Sequence, residues 1–187
     1  SPSWRTADTM AQRVLDRLRE VFGDAIVSTR SCAGDEVAVV GRKDYQRVAA
    51  FLKGDPACAF DLFVDLTAVD YPKDEERFAV WLRLCSIRHG HRICLETRAP
   101  EEDPSVDSVT DLWKGAIWFE REVWDLMGVR FDGHPSLRRI LMYEEFVGHP
   151  LRKDYPVERT QPLVPYREAM TTKLPPFGPD EGLPWSR

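Results

Sequence analysis

At 187 residues with 43% apolar side chains, the chain has material for one domain with a real core and an extension. A net charge of -5 and a pI near 5.4 exclude a general nucleic-acid binder, which needs a strongly basic face. No apolar run approaches the roughly 18 to 20 residues that cross a bilayer, and Arg5, Asp8, Arg13 and Asp16 interrupt the start where a signal peptide would be apolar. The chain therefore reads as soluble by itself, with any membrane attachment supplied by a partner.

From Thr6 to Phe22, Met10, Val14, Leu15, Leu18 and Val21 recur at helical spacing, and Gly23 ends the element. Ala25 to Val27 and Val37 to Val40 read as strands around a polar turn, Ser31 to Glu36, with Gly34 in it. Lys43 to Lys53 is a second helix with Tyr45, Val48, Ala49 and Leu52 inward. Beyond it, alternation predicts a strand with Phe60, Leu62, Val64, Leu66 and Ala68 on one side.

The acidic loop Asp70 to Glu76 breaks that strand, and Phe78, Val80, Leu82 and Leu84 alternate again. A two-residue turn at His89-Gly90 would set Leu84 opposite Leu95, Arg83 opposite Glu96 and Cys85 opposite Cys94. His89 and His91 flank this turn without a third ligand. The four cysteines, Cys32, Cys58, Cys85 and Cys94, form no CxxC, so no iron-sulfur cluster is expected in this chain.

After a Pro-containing linker, a central helix is expected from about Leu112, capped by Ser108, Thr110 or Asp111. Leu112, Ala116, Phe119, Val123, Leu126 and Met127, widened by Trp113, Ile117 and Trp124, make about half its circumference apolar. Such a helix must be covered on more than one flank. Glu120 lies inside that arc, while Arg121, Glu122 and Asp125 point away from it. A buried carboxylate requires a cation or a raised pKa; the expected partner is one of Arg138, Arg139, Arg152 and Lys153, which follow the helix stop at Gly128.

Two Gly-His-Pro units, at 133–135 and 148–150, lie beside Asp132 and Asp154, but their spacing is poor for zinc. Residues 155–187 hold half of the 14 prolines and no hydrophobic period, yet keep Tyr155, Tyr166, Phe177 and Trp185. The expected architecture is α+β, helices packed on a largely antiparallel sheet over 1–154, followed by an irregular Pro-rich tail, 155–187, extended across a partner.

EREVWDLMGVRF at 120–131, GHPSLRRILM at 133–142 and GHPLRKDYP at 148–156, in this order, resemble the 30-kilodalton subunit family of the proton-pumping NADH:quinone oxidoreductase, respiratory complex I. The resemblance implies a structural subunit of the peripheral arm, without catalytic residues, metal or cofactor of its own. Flavin, iron-sulfur clusters and quinone would belong to partner subunits. It would sit on the cytoplasmic side of the bacterial inner membrane, or the mitochondrial matrix side, against quinone-site subunits that resemble the large and small subunits of nickel-iron hydrogenases. Glu120, Arg121, Asp125, His134, Arg138, Arg139, His149, Arg152, Lys153 and Asp154, with the tail's Tyr166, Phe177 and Trp185, would be structural or interface residues. An equivalent subunit of a ferredoxin-driven complex or membrane-bound hydrogenase is an alternative. An independent small enzyme using Glu120, His134 and His149 is the reading from another class.

Overall fold

The computed structural model describes residues 4–32 and 35–164, with side chains described from Gln12 to Ser31 and from Asp35 onward. Gly34, Tyr166, Phe177 and Trp185 lie outside the described residues. The elements are α1 (Trp4–Phe22), β1 (Ile26–Cys32), β2 (Asp35–Val40), α2 (Tyr45–Gly54), β3 (Leu62–Asp70), β4 (Phe78–Ser86), β5 (His91–Ala99), β6 (Ser105–Asp107), α3 (Ala116–Met127) and β7 (Arg130–Asp132).

The main sheet has the order β1-β2-β5-β4-β3. It is largely antiparallel, as the alternating patterns and short turns suggest, but β2 and β5 run parallel. One face carries the core: Ala38, Val40, Leu66, Ala68, Val80, Leu82, Leu84, Ile93 and Leu95 are buried there with Leu18, Tyr45, Val48, Leu52 and Val123 of the helices. Small β6 and β7 pair in parallel beside it.

Two register expectations are corrected. The β4–β5 connection is the longer loop Ile87–Gly90, closed by the Gly90 amide on the Ser86 carbonyl at 2.9 Å with Gly90 at φ +65°. Leu84 therefore faces Ile93, Arg83 faces Cys94 and Cys85 faces Arg92. This two-residue slip keeps every side chain on its expected face, so the hydrophobic pattern could not detect it. In β3 a bulge between Phe63 and Asp65 reverses the alternation. Phe63 then turns inward against Phe119, while Leu62 and Val64, expected in the core, are 43% and 45% exposed.

Candidate docking site around α3

The central helix begins later than its apolar pattern suggests. Residues 109–115 form turns, with the Leu112 and Trp113 amides on the Val109 carbonyl, and α3 starts after Gly115 without a side-chain cap. Ser108, read as a possible cap, faces the helix side instead. Its hydroxyl lies 2.7 Å from Glu120 Oε2 and 2.8 Å from the Thr110 hydroxyl, and the Val109 amide donates to Glu120 Oε1 at 2.8 Å.

Glu120 is fully buried, as its place in the apolar arc requires, but the expected cation is not there. Its hydrogen-bond partners are Ser108 and Val109, in place of Arg138, Arg139, Arg152 or Lys153. With no countercharge among the described residues bonded to it, burial dominates and pushes its pKa up to about 7, against the lowering effect of those two hydrogen bonds. Of pairing and a raised pKa, the fold uses the raised pKa, which favours the protonated acid below about neutral pH.

The cationic partner belongs to Asp125, the carboxylate expected to point away from the apolar arc. It is fully buried. Its Oδ2 accepts the consecutive amides of Ile140, Leu141 and Met142 at 3.0, 2.8 and 2.8 Å, and its Oδ1 accepts Arg139 Nη1 at 2.6 Å. Against desolvation, these donors hold its pKa below the usual carboxylate range. Arg139 extends the tie, donating through Nη2 to the Phe146 and Gly148 carbonyls. Its guanidinium lies 5.9 Å from the Trp124 ring and 5.6 Å from that of Phe146.

Polar side chains bind the rest of the irregular segment to α3. Arg121, also expected to face away, is buried and donates to the Arg138 and Arg139 carbonyls at 3.0 and 2.8 Å. The imidazole of His134 meets the Ile117 carbonyl at 3.2 Å, and that of His149 meets the Asp125 carbonyl at 3.0 Å. The two histidines thus sit eight helix positions apart, on the order of 12 Å along the axis. Arg152 Nε donates to the Met127 carbonyl at 2.6 Å and the Leu151 amide to that of Leu126 at 2.9 Å, covering the last turn of α3. Gly128 permits this approach: it stands at φ +76°, and a Cβ there would meet His149 at 2.6 Å and Arg152 at 2.7 Å.

A second tie joins the segment to the sheet. Arg77, buried between β3 and β4, forms a two-point pair with Asp70 at 2.7 and 2.8 Å and also reaches Asp154 at 2.8 Å and Glu101 at 2.7 Å. Asp70 also accepts the Lys153 amide at 2.7 Å. These bonds hold the Asp70 and Asp154 pKa values down, Arg77 being the leading cause in each. Sequence reasoning missed Asp70 and Arg77; their only signal was a carboxylate ending one strand and an arginine opening the next.

Arg138 and Lys153 contribute backbone atoms while their side chains remain exposed. So fastened, the segment turns apolar groups outward: Leu141, Tyr143, Val147 and Leu151 are 56, 38, 45 and 51% exposed, and Trp118 of α3 is 59% exposed. The described beginning of the tail folds over it, Tyr155 stacking on Phe146 at 6.1 Å and Tyr143 donating to the Pro162 carbonyl at 3.2 Å. Among the described residues, no group of three or more His, Cys, Asp or Glu is arranged to hold a metal. No helix there is long and apolar enough to cross a membrane.

Residues 38–161 match the family described as respiratory-chain NADH dehydrogenase, 30 Kd subunit. An NADH-quinone oxidoreductase subunit of Geobacter metallireducens is 44% identical over 147 residues, 78% of this chain and 90% of that protein. Its counterpart in Methylobacterium radiotolerans is 45% identical, over 79% of this chain and 66% of its own. Among solved structures, the trypsin-resistant fragment (1-134) of Nqo5 superposes with a TM-score of 0.60 at 33% identity, covering 68% of this chain and 99% of the fragment. A chain of an archaeal membrane-bound sulfane sulfur reductase shares the fold, with a TM-score of 0.66 at 23% identity over 79% of this chain and 86% of its own.

Proposed function

We propose, from the premise that this chain belongs to the 30 kDa subunit family of respiratory-chain NADH dehydrogenase, that within the multisubunit NADH-quinone oxidoreductase it is a bracing subunit without chemistry of its own. The observation that carries this reading is the segment from Asp132 to Pro156. It spends its polar groups on the backbone of α3 and on Asp125, and leaves apolar side chains facing out. Exposed apolar groups on a rigid support make a docking surface. A reaction centre needs acid, base and substrate space converging. Here Glu120 is sealed, and His134 and His149 are committed to carbonyls at opposite ends of one helix.

The role is to hold neighbouring peripheral-arm subunits, those of the quinone site and the terminal cluster, at fixed separation on the cytoplasmic or matrix side. Flavin, iron-sulfur clusters and quinone belong to those neighbours. The tail 155–187, with Tyr166, Phe177 and Trp185, extends the same contact. An equivalent place in a related membrane-bound complex is the second reading, favoured by the fold shared with the archaeal reductase; the identity of the copurifying partners separates the two.

The test is the pair Leu141→Asp and Leu151→Asp, both exposed side chains. The isolated variant should melt as the unaltered chain does, while its copurification with the other subunits falls at least tenfold. Undiminished copurification of a normally folded variant would overturn the docking role of this face.

A further inference from the structure

The turn between β6 and α3 is a junction of three elements, and it closes on a carboxyl group that has no countercharge bonded to it among the described residues. Every polar atom of Ser108 is engaged. Its amide donates to the Asp132 carbonyl at the end of β7 at 2.8 Å, its carbonyl accepts Gln46 Nε2 of α2 at 2.8 Å, and its hydroxyl meets Glu120 at 2.7 Å. The Val109 amide is spent on the same carboxyl, and the Thr110 amide on the Ser108 hydroxyl at 3.2 Å.

As the acid, Glu120 fits this surrounding completely. Its O–H can donate to Ser108 Oγ, Ser108 can donate to Thr110 Oγ1, and the other carboxyl oxygen accepts the Val109 amide. As a carboxylate it would be a sealed, unpaired charge. Asp111 acts on it as a like charge, and the Tyr45 phenol from α2 feels it across the core. Lys53 of α2 is engaged with the Leu112 carbonyl and the Trp113 ring, Lys114 lies 3.7 Å from Asp111, and Arg121 of α3 is turned to the Arg138 and Arg139 carbonyls. β7 meets Ser108 through the Asp132 carbonyl, and β3 packs on α3 with Phe63 on Phe119 and with Leu66 and Ala68 lining one cavity with Glu122 and Val123. The ion gains relief only if the turn opens to water.

We infer that Glu120 is a proton-operated latch on the turn at 108–113: protonated, it holds the turn shut, and loss of the proton frees the turn and the β6–β7 pair joined to it. The latch rests on the geometry of the turn and holds whether or not the outward face of the segment docks a partner.

The experiment is amide exchange of the full-length chain, read residue by residue by NMR and corrected for intrinsic exchange. With the Glu120 pKa at about 7 in the fold against an ordinary 4.5, opening of the turn should rise about tenfold between roughly pH 6 and pH 8.5. Val109 protection should fall by that factor in the unaltered chain. In Glu120→Gln it should stay constant, since the amide can donate to Ser108 and accept from Val109 without ionising. Constant protection in the unaltered chain, or an equal fall in both, overturns the latch. Should the variant fail to fold, the carboxyl carbon of Glu120 in the unaltered chain decides: a transition near neutrality supports the latch and one in the ordinary carboxylate range defeats it.

Discussion

Replacing Asp125 by Asn removes the charge on which the irregular segment is hung. The carboxylate receives three consecutive amides and the Arg139 guanidinium, and it is wholly buried. An amide side chain keeps one oxygen acceptor and turns two N–H donors toward groups that are themselves donors. Arg139 is then left largely buried without its partner, a situation that costs about 3 to 5 kcal/mol. For a chain of this size each kcal/mol moves the melting temperature by roughly 2 to 4 °C, so the fall should be about 6 to 20 °C. The companion assay is trypsin cleavage at Arg138, Arg139 and Arg152, which should accelerate as the segment lifts from α3. Glu122→Gln, on the exposed side of the same helix, is the control and should change neither reading. Because the Asp125 pKa is held down in the fold, its contribution is present above the ordinary carboxylate pKa and lost as pH falls through the lowered value. The variant should therefore also show a flatter acid limb of stability. A melting temperature within about 2 °C of the unaltered chain, with unchanged cleavage, would refute the reasoning that Asp125 is the anchor.

Asp70→Asn should cost about 1.5 to 3 kcal/mol, since the buried Arg77 loses its two-point partner but keeps Asp154 and Glu101, and the Lys153 amide loses its carboxylate acceptor. Asp70 is likewise held low, so its stabilisation is lost on acidification; chemical denaturation near neutral pH and again near pH 3 should find the deficit shrinking. Gly128→Ala should cost about 2 to 4 kcal/mol, combining a left-handed backbone with displacement of His149 and Arg152. Denaturant midpoints measure it, and a neutral effect would mean the segment does not pack on the helix end as described.

The sequence made the α+β class readable because the periods of Val14 to Phe22, Phe78 to Leu84 and Ala116 to Met127 are clean. It failed where a local event leaves that period intact or resets it. The slip at Ile87–Gly90 kept Leu84 and Leu95 on one face, and the bulge after Phe63 moved Leu62 and Val64 to the other. At the site, half the circumference of α3 being apolar correctly required a second covering flank. That flank proved to be the irregular segment itself, which buried Asp125 and Arg121 although they stand outside the apolar arc. Facing a wall of amides and carbonyls, polar side chains are the ones that fit there. Glu120 faced the opposite way, toward Ser108 and Val109, where no cation among the described residues bonds to it. Helical angle alone cannot tell which polar residue meets a loop's backbone and which meets a turn.

The central claim is that α3 with the segment covering it is a rigid contact face and not a reaction centre, and Glu120→Gln, which alters the buried acid of that helix, tests it most directly. Gln reproduces the protonated side chain, so the comparison belongs near pH 6.5, where the latch is closed in both forms. NADH:quinone turnover should be measured per fully assembled complex carrying either chain. Equal turnover is predicted; a severalfold loss in complexes that hold every partner would mean that the carboxyl group takes part in the chemistry, and would contradict the account.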